Sequence, residues 1–268
     1  MKILANHAHL VPTPRSGDWW PEGGVATLLH HLDVCEIDQA VIFPPFAAQV
    51  GNDMRQANRW ALQEIRPHRD RLIPAGTIYP LAKDVCDVVQ MLYDEGIRLL
   101  KIHPSIELYD IAAPEARACY AKAEELGMIF DYHTGPHGTR LSLACPEKFD
   151  DLAFDFPQLR LIFEHLGGRP YFQEFAAVLA GHPKRCFGGL TSIYNAGDYL
   201  WYIAPFIEEI IKGLGAHKFI FGLDFPWNTV EATRRDLEFI HSLDISTADR
   251  ALILGGNLAH LLGMDETI

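Results

Sequence analysis

Residues 159–168 read LRLIFEHLGG, and this stretch shows how the repeating unit of the chain is built. Its first five residues are apolar apart from Arg160, which predicts a short strand covered on both faces, as the strands of parallel sheets are. Glu164 and His165 follow at once, and two glycines then end the strand. Residues 218–227, KFIFGLDFPW, repeat this order of an apolar run followed by a polar residue, here Asp224. Both stretches therefore predict parallel strands with reactive side chains at their ends.

Eight such strands alternate with amphipathic segments along the whole chain. The predicted strands cover residues 2–5, 39–43, 72–78, 97–102, 128–132, 159–164, 186–190 and 218–223. The predicted helices cover residues 53–68, 83–95, 114–126, 170–181, 199–214 and 229–243, with a short last helix near 257–262. An open doubly wound sheet would use the same alternation, but the glycine-rich phosphate-binding turn of dinucleotide folds is missing after the first strand. We therefore predict a single α/β domain over residues 1–268, folded as a (β/α)8 TIM barrel.

Composition narrows the classes of function. The chain has 268 residues, of which 49% are hydrophobic, so a large core can form. The net charge of −12 opposes binding to nucleic acid. The most apolar late segment, residues 199–211, is interrupted by Pro205 and by Glu208 and Glu209, which argues against a membrane span. Five scattered cysteines are typical of reduced thiols in a cytoplasmic protein. A small molecule is the expected partner, and assembly into a homo-oligomer is compatible with the sequence.

Polar residues at four strand ends converge on one predicted site. His7 and His9 follow the first strand at a spacing that puts both imidazoles on one face of an extended chain. His133 follows the fifth strand, His165 the sixth and Asp224 the eighth. Any one of these histidines alone would be typical of a hydrogen-bonded structural residue. Because barrel active sites lie at the C-terminal ends of the strands, their shared placement predicts instead a Zn²⁺ site with room for water.

The loops after the strands are predicted to form the substrate pocket. They contain Trp19, Trp20, His137, Arg140, Arg169, Tyr194 and Trp227. Arg140 or Arg169 could clamp a substrate carboxylate through two hydrogen bonds, which makes an anionic substrate the expected class, although simple solvation of each arginine is the alternative. Trp227 is predicted to line the pocket. The remaining histidines lie in predicted helices or at helix ends, and no role is assigned to them: His30, His31, His68, His182, His217, His241 and His260.

Several motifs together resemble a known family. They are HAH at residues 7–9, GIRLLKIHP at 96–104, His133, EHLGG at 164–168, GLDFPW at 222–227 and ILGGNLAHLLG at 253–263. This combination resembles the amidohydrolase-related branch of the amidohydrolase superfamily, which also contains the ACMSD-like decarboxylases. The resemblance extends over the whole chain.

The resemblance implies roles for individual residues. His7, His9, His133 and Asp224 would bind one divalent metal ion, for which Zn²⁺ is predicted. His165 would be catalytic, as a polarising group or general base, and Asp224 would also pass a proton. Two departures from the pattern are relevant: the family commonly has Asp where this chain has Asn6, and some relatives work without a metal.

Lys101 and His103 lie in the GIRLLKIHP motif and have alternative roles. In binuclear relatives a carbamylated lysine of the fourth strand bridges two metals, and Lys101 could act in this way. It lies two residues deeper than His103, however, so a core lysine paired to a carboxylate is favoured. His103 is predicted to contact the substrate.

Two reactions fit this site. The first is hydrolysis of a small carboxylated lactone, ester or amide by a metal-activated water. The alternative is non-oxidative decarboxylation of an aromatic or enoic acid at the same metal site, and no residue pattern separates the two. A catalytically silent binding protein is disfavoured, because such a barrel has no need for five polar groups around one mouth.

Overall fold

Eight parallel strands form a closed ring at the centre of the molecule. The computed structural model describes residues 2–46, 49, 53–137, 140–194 and 202–264. The strands are β1 Leu4–His9, β2 Gln39–Phe43, β3 in two segments Leu72–Pro74 and Gly76–Thr77, β4 Leu99–Ile102, β5 Ile129–His133, β6 Arg160–Glu164, β7 Cys186–Leu190 and β8 Phe219–Phe225. β1 pairs with both β2 and β8, while one segment of β3 pairs with β2 and the other with β4. The strands therefore follow one another around the ring, and the predicted TIM barrel is confirmed.

Two strands are longer than predicted, and both carry site residues. β1 ends at His9 rather than at residue 5, because its hydrogen-bonded pairing with β2 continues through Ala8 and His9 after a register shift. β8 ends at Phe225 and therefore includes Asp224. His7, His9 and Asp224 thus lie within the last residues of strands, and not in the loops that follow.

Helices connect the strands on the outside of the ring. They are α1 Val25–Val34, α2 Met54–Ile65, α3 Val85–Asp94, α4 Pro104–Glu107, α5 Arg117–Glu125, α6 Pro146–Asp155, α7 Gly168–Gly181, α8 Ala204–Leu214, α9 Val230–Ser242, α10 Thr247–Ala251 and α11 Asn257–Leu262. The predictions missed α1, α4, α6 and α10. The apolar residues of α1 and α6 have helical spacing but are mixed with histidines or carboxylates, and α4 and α10 have only four and five residues. The predicted start of the eighth helix, residues 199–201, lies outside the described residues. No helix in the described part of the chain is both long and apolar enough to cross a membrane.

Inside the ring, inward-facing side chains are arranged in layers. We call the buried apolar residues nearest the N-terminal ends of the strands the lower layer: Leu4, Leu99, Ile129, Ile162 and Ile220. Leu258 and Leu261 of α11 pack against this layer and cover it from below. Two residues further along the strands the side chains become polar, as expected from the two-residue period of a strand.

Candidate active site

A buried polar layer lies directly above the lower layer. It consists of Asn6, Lys101, Asp131, Glu164 and Thr191, each at most 1% exposed. Lys101 Nζ lies 2.9 Å from Asp131 Oδ1. Asn6 Nδ2 donates to Asp131 Oδ2 and to Glu164 Oε1, both at 2.7 Å, and Thr191 Oγ1 donates to Glu164. Lys101 is therefore the core lysine paired to a carboxylate that the sequence favoured.

Asn6 is suited to this position because its amide donates to both carboxylates. An aspartate there would bring a third carboxylate beside Asp131 and Glu164. Burial alone favours the protonated acids, but Lys101 and His7 hold the pKa of Asp131 below its usual range. Burial and the neighbouring Asp131 raise the pKa of Glu164. Lys101, His7 and the amide of Asn6 thus serve two carboxylates whose pKa values shift in opposite directions.

Two glycines provide the space for this layer. A Cβ atom at Gly189 would lie 2.1 Å from Glu164 Oε2, and one at Gly222 would lie 2.1 Å from Thr191 Oγ1. Both glycines occupy inward positions of β7 and β8, so the polar layer depends on the absence of two side chains.

His7 connects the polar layer to the mouth of the barrel. Its Nδ1 lies 3.4 Å from both Asp131 Oδ1 and Glu164 Oε1, and its Nε2 lies 3.6 Å from Asp224 Oδ1. Burial and Lys101 oppose protonation of His7, but the adjacent carboxylates outweigh them and raise its pKa to about 9. A ring that donates Nδ1–H to a carboxylate has Nε2 oriented for a metal ion, as in the carboxylate–histidine–metal arrangement.

Three predicted ligands form one compact group. Donor atoms of His7, His9 and Asp224 all lie within 4.8 Å of one another. Two ligands at about 2.1 Å from a tetrahedral ion are roughly 3.4 Å apart, which is close to the distance between His7 Nε2 and Asp224 Oδ1. His9 Nδ1 is buried and has no hydrogen-bond partner among the described residues. Burial lowers the pKa of His9, so its imidazole is neutral and can coordinate. These residues fit a divalent metal ion.

His133, the fourth predicted ligand, belongs to a different group. Its donor atoms lie within 4.8 Å of those of His103 and His137. The rings of His103 and His133 are stacked, with centroids 3.8 Å apart and planes at 11°. Since imidazole lone pairs lie in the ring plane, parallel rings do not point at a common ion. The role of His133 as a ligand of the first group stays a prediction.

His165 and Asp224 face the same space from β6 and β8. His165 Nδ1 lies 3.0 Å from the carbonyl oxygen of Thr191. A carbonyl oxygen only accepts, so Nδ1 carries the proton and Nε2 is the basic nitrogen. Burial lowers the pKa of His165 to about 4, so the ring is neutral. Asp224 Oδ2 accepts a hydrogen bond from Ser192 Oγ at 3.2 Å.

The segment directly after β7 forms hydrogen bonds with both His165 and Asp224, and the sequence analysis did not identify it. Thr191 contacts His165 and Ser192 contacts Asp224. The buried carboxylate of Asp236, on α9, accepts the backbone N–H of Tyr194 at 2.8 Å. The one signal for Asp236 in the sequence is that it lies on the side of its helix that otherwise carries apolar residues.

The backbone at the site takes a conformation that side chains rarely adopt. The φ angles are 61° at His7, 64° at His165, 59° at Ser192 and 54° at Asp224. A non-glycine residue in the left-handed region costs about 1–3 kcal/mol when the surrounding structure imposes it. Such conformations cluster at functional sites, which supports a functional interpretation of this end of the barrel.

A cavity of about 230 Å³ lies above these residues. Its described lining consists of His7, His9, Trp19, Phe46, His103, Ile106, His133, His137, His165, Ser192, Asp224, Trp227 and Asn228. We call it the histidine cavity. The structure thus brings His103 and Trp227 to the predicted pocket together with the predicted ligands and catalytic residues. Trp19 and His137 also line it, whereas Trp20 and Tyr194 do not.

The two arginines predicted to clamp a carboxylate lie elsewhere. Arg140 is exposed and precedes a short 3-10 helix, Leu141–Ala144. Arg169 is exposed in the first turn of α7 and lines a separate groove between α7 and α8. Neither belongs to the described lining of the histidine cavity, so their role stays a prediction.

Comparison with known families agrees with this geometry. A family described as amidohydrolase matches residues 6–264, nearly the whole chain. The chain belongs to the amidohydrolase family. The matched region includes every residue of the candidate site and all strands except the first two residues of β1. No curated protein sequence matches this amidohydrolase.

Solved structures share the fold of this amidohydrolase at low sequence identity. An uncharacterised TIM-barrel protein from Bordetella bronchiseptica is 20% identical with a TM-score of 0.76, covering 99% of this chain and 100% of that one. A probable 2-pyrone-4,6-dicarboxylic acid hydrolase from Acinetobacter baumannii, with citric acid bound, is 18% identical with a TM-score of 0.71, covering 98% and 100%. A dihydroxybenzoic acid decarboxylase from Polaromonas sp. JS666, with bound manganese and the inhibitor 2-nitroresorcinol, is 12% identical with a TM-score of 0.72, covering 98% and 97%. The same barrel is thus found in a hydrolase and in a decarboxylase.

Proposed function

We propose that this amidohydrolase hydrolyses a small lactone, ester or amide, and that a carboxylated compound is its substrate. One divalent ion, proposed to be Zn²⁺, would be held by His7, His9 and Asp224, with His133 as fourth ligand. The observation that carries the proposal is the contact between His165 Nδ1 and the carbonyl oxygen of Thr191. It fixes the ring proton on Nδ1, and burial keeps the ring neutral, so Nε2 can accept a proton, which is what activation of a water requires.

Each residue has a defined part in this reaction. A divalent ion bound here would supply Lewis acidity toward water and toward the substrate carbonyl. His165 Nε2 takes a proton from the attacking water, while Thr191 keeps the ring in the required tautomer. Asp224, held by Ser192, is placed to take the second proton of the added water from the hydroxyl on the substrate carbon and pass it to the leaving group, and protonated His165 then returns its proton to solvent. Asp131 and Glu164 hold His7 in orientation, and Trp227 with Trp19 shields the reaction from bulk water.

Decarboxylation is the second candidate, and the walls of the cavity favour it. Phe46 lies 5.1 Å from His9 between ring centroids, and Trp19 is stacked on Trp227 at 6.2 Å, so a planar aromatic acid would find suitable surfaces. Loss of CO₂ leaves a carbanion that must be protonated, however, and a neutral His165 is a base and not an acid. Hydrolysis is therefore supported better. Incorporation of ¹⁸O from labelled water into product, against release of CO₂ without it, distinguishes the two reactions.

The decisive variant is His165→Ala in metal-loaded protein, with activity measured on a panel of lactones, esters and amides. We expect normal metal content but a loss of about 10²–10⁴-fold in kcat, the usual contribution of a general acid or base. His9→Ala should lower both metal content and rate. His241→Ala, which changes an exposed histidine of α9, is the control and should change neither.

Two outcomes would contradict this assignment. Equal loss of metal in His165→Ala and His9→Ala would make His165 a ligand. The pH profile tests the direction of proton transfer: a base must be neutral, so the wild-type rate should fall on the acid side. A fall on the alkaline side that disappears in His165→Ala would make it a proton donor.

A further inference from the structure

A second cavity adjoins the histidine cavity at the same end of the barrel. Its volume is about 540 Å³, and it lies among the N-terminal ends of α2 and α3 and the short helix α4. Phe46 and Ile106 line both cavities. We call the second one the side cavity. Because two residues are shared, the two cavities are separated by side chains and not by a strand or a long helix.

The partition between the cavities is a single helical turn. His103 caps α4, and its Nδ1 accepts a hydrogen bond from Ile106 N at 3.3 Å. On one side of this turn His103 stacks on His133; on the other, Glu107 lines the side cavity. Phe46 completes the partition and contacts the ring of His103 at 5.3 Å. A rotation of Phe46 or Ile106 would join the two spaces without any change in the barrel.

The size of the histidine cavity limits what it can hold alone. An apolar cavity of about 150 Å³ accommodates benzene. The histidine cavity, at about 230 Å³, therefore has room for one ring or a short chain with its scissile group. Any larger substrate must extend beyond it, and the side cavity is the concave space next to it that shares Phe46 and Ile106 with it.

The lining of the side cavity suits an uncharged apolar group. Its apolar residues are Phe46, Met54, Ile78, Ala82, Val85, Val88 and Ile106. Arg55, the one cation among its described lining residues, is paired with Asp84 at 3.0 Å. Asp53 caps α2 by accepting the backbone N–H of Gln56 at 3.0 Å. Burial raises the pKa of Glu107 to about 8, so this carboxyl is largely protonated at neutral pH. Among the described lining residues no unpaired positive charge remains to bind a carboxylate, and most of them are apolar.

We propose that the side cavity is a substrate subsite that takes an uncharged alkyl or aryl arm attached to the group cleaved in the histidine cavity. This inference rests on the proposed function, because the arm belongs to the substrate of that reaction. Ala82 of the cavity lining is the specificity-determining position to test, since a larger side chain there would occupy the space of the arm.

Binding and turnover are measured separately on metal-loaded protein. Acetamide and hexanamide, which differ by four methylene groups, are titrated by calorimetry, and methyl acetate and methyl hexanoate are the corresponding esters. Each buried methylene is worth roughly fourfold in affinity, so hexanamide should bind at least about tenfold more tightly than acetamide. Ala82→Phe should reduce that ratio below about threefold and leave acetamide binding unchanged. Ala176→Phe, a matched change in the groove between α7 and α8, should keep the wild-type ratio.

Each result decides one of the two proposals. Equal binding of both amides by the wild type, or a ratio retained in folded Ala82→Phe, overturns the subsite. Ala82→Leu provides the same test if the phenylalanine variant does not fold. Suppose that neither ester is cleaved, but that the wild type binds hexanamide more tightly than acetamide and Ala82→Phe loses this preference. The subsite then stands, and the hydrolase proposal fails on these esters. Cleavage of both esters with the same kcat/KM overturns the subsite and leaves hydrolysis standing.

Discussion

The lower layer and the polar layer occupy successive inward positions of the same strands but are stabilised in different ways. Ile129 and Asp131, both on β5, are equally buried, yet Ile129 packs in an apolar cluster whereas Asp131 contacts Lys101 and Asn6. Burial of apolar surface favours the lower layer directly. Burial of charge is unfavourable unless each group is paired, so the polar layer persists only because its members satisfy one another. The residues whose loss would destabilise the fold most therefore lie directly beneath the candidate site.

The largest expected effect comes from breaking the ion pair in the polar layer. Asp131→Ala leaves Lys101 buried without its carboxylate, and removing one partner of a buried pair destabilises a protein by about 3–5 kcal/mol. Urea unfolding of the metal-free protein measures this loss. A loss below about 1 kcal/mol would mean that Lys101 finds another partner or is neutral.

The matched control removes both charges. Lys101→Met combined with Asp131→Leu replaces the pair with apolar groups, and such replacements are often neutral or stabilising by about 1–4 kcal/mol. We expect the double variant to recover most of the stability lost in Asp131→Ala. It should not recover the orientation of His7, so metal affinity should remain low. Recovery of both properties would show that the polar layer has no role in the site.

Asp236 provides a second comparison, because no cation within the described ranges forms an ion pair with its buried carboxylate. Burial raises its pKa to about 7, opposite in direction to the shift at Asp131. Between about pH 4, where unfolded aspartate titrates, and pH 7, the unfolded chain releases a proton that the native state retains. Stability should therefore fall as pH rises through this range, and Asp236→Asn should remove that fall. The free energies of unfolding of both proteins are measured at pH 4 and pH 8. Relative to the wild type, the variant should be more stable at pH 8 than at pH 4. The same difference in stability at both pH values would contradict the prediction.

A smaller effect is expected in the lower layer. Ile162→Val removes one methylene from a fully buried apolar site, and such changes cost about 0.5–1.5 kcal/mol. The loss should be independent of pH and should leave metal content unchanged, in contrast to changes in the polar layer. A loss of metal in Ile162→Val would show that the two layers are mechanically coupled.

The smallest effect is expected at the arginines predicted to clamp a carboxylate. Neither Arg140 nor Arg169 lines the histidine cavity, and exposed substitutions are usually within about 0.5 kcal/mol, or twofold. We expect KM for the substrate found in the panel to change by no more than that in Arg140→Ala and Arg169→Ala. A rise of tenfold or more would restore the predicted clamp.

The sequence was sufficient for the barrel and for most of the site, because both follow from periodicity. Apolar runs of strand length that alternate with amphipathic segments predict parallel strands, and a closed barrel brings their C-terminal ends together. The sequence alone therefore assigns His7, His9, His165 and Asp224 to one site. The same period of two also puts Asp131 inward, two residues before His133, but it does not identify Asp131 as the carboxylate that pairs with Lys101.

Other features could not be predicted because they depend on packing between distant segments. The stacking of His133 on His103 is set by α4, a single turn with no periodic signal of its own. The left-handed φ angles at His7 and His165 depend on packing with the neighbouring strands, since only a small minority of histidines adopt a positive φ. Asp236 lies on α9 and contacts the segment after β7, and the number of residues between the two does not predict that they meet.

The pairing of β1 with β8 has a consequence for the order of folding. His7 and Asp224 lie on opposite sides of the seam where the first and last strands of the ring meet. Contacts between segments so distant in sequence form late, because a long loop must close before they are made. The site is thus assembled only when the ring is complete. A nascent chain whose β8 segment is not yet free to pair with β1 cannot bind metal through His7 and Asp224. An ion bound across the seam would in turn slow its opening, so amide hydrogen exchange in β1 and β8 would report occupancy of the site.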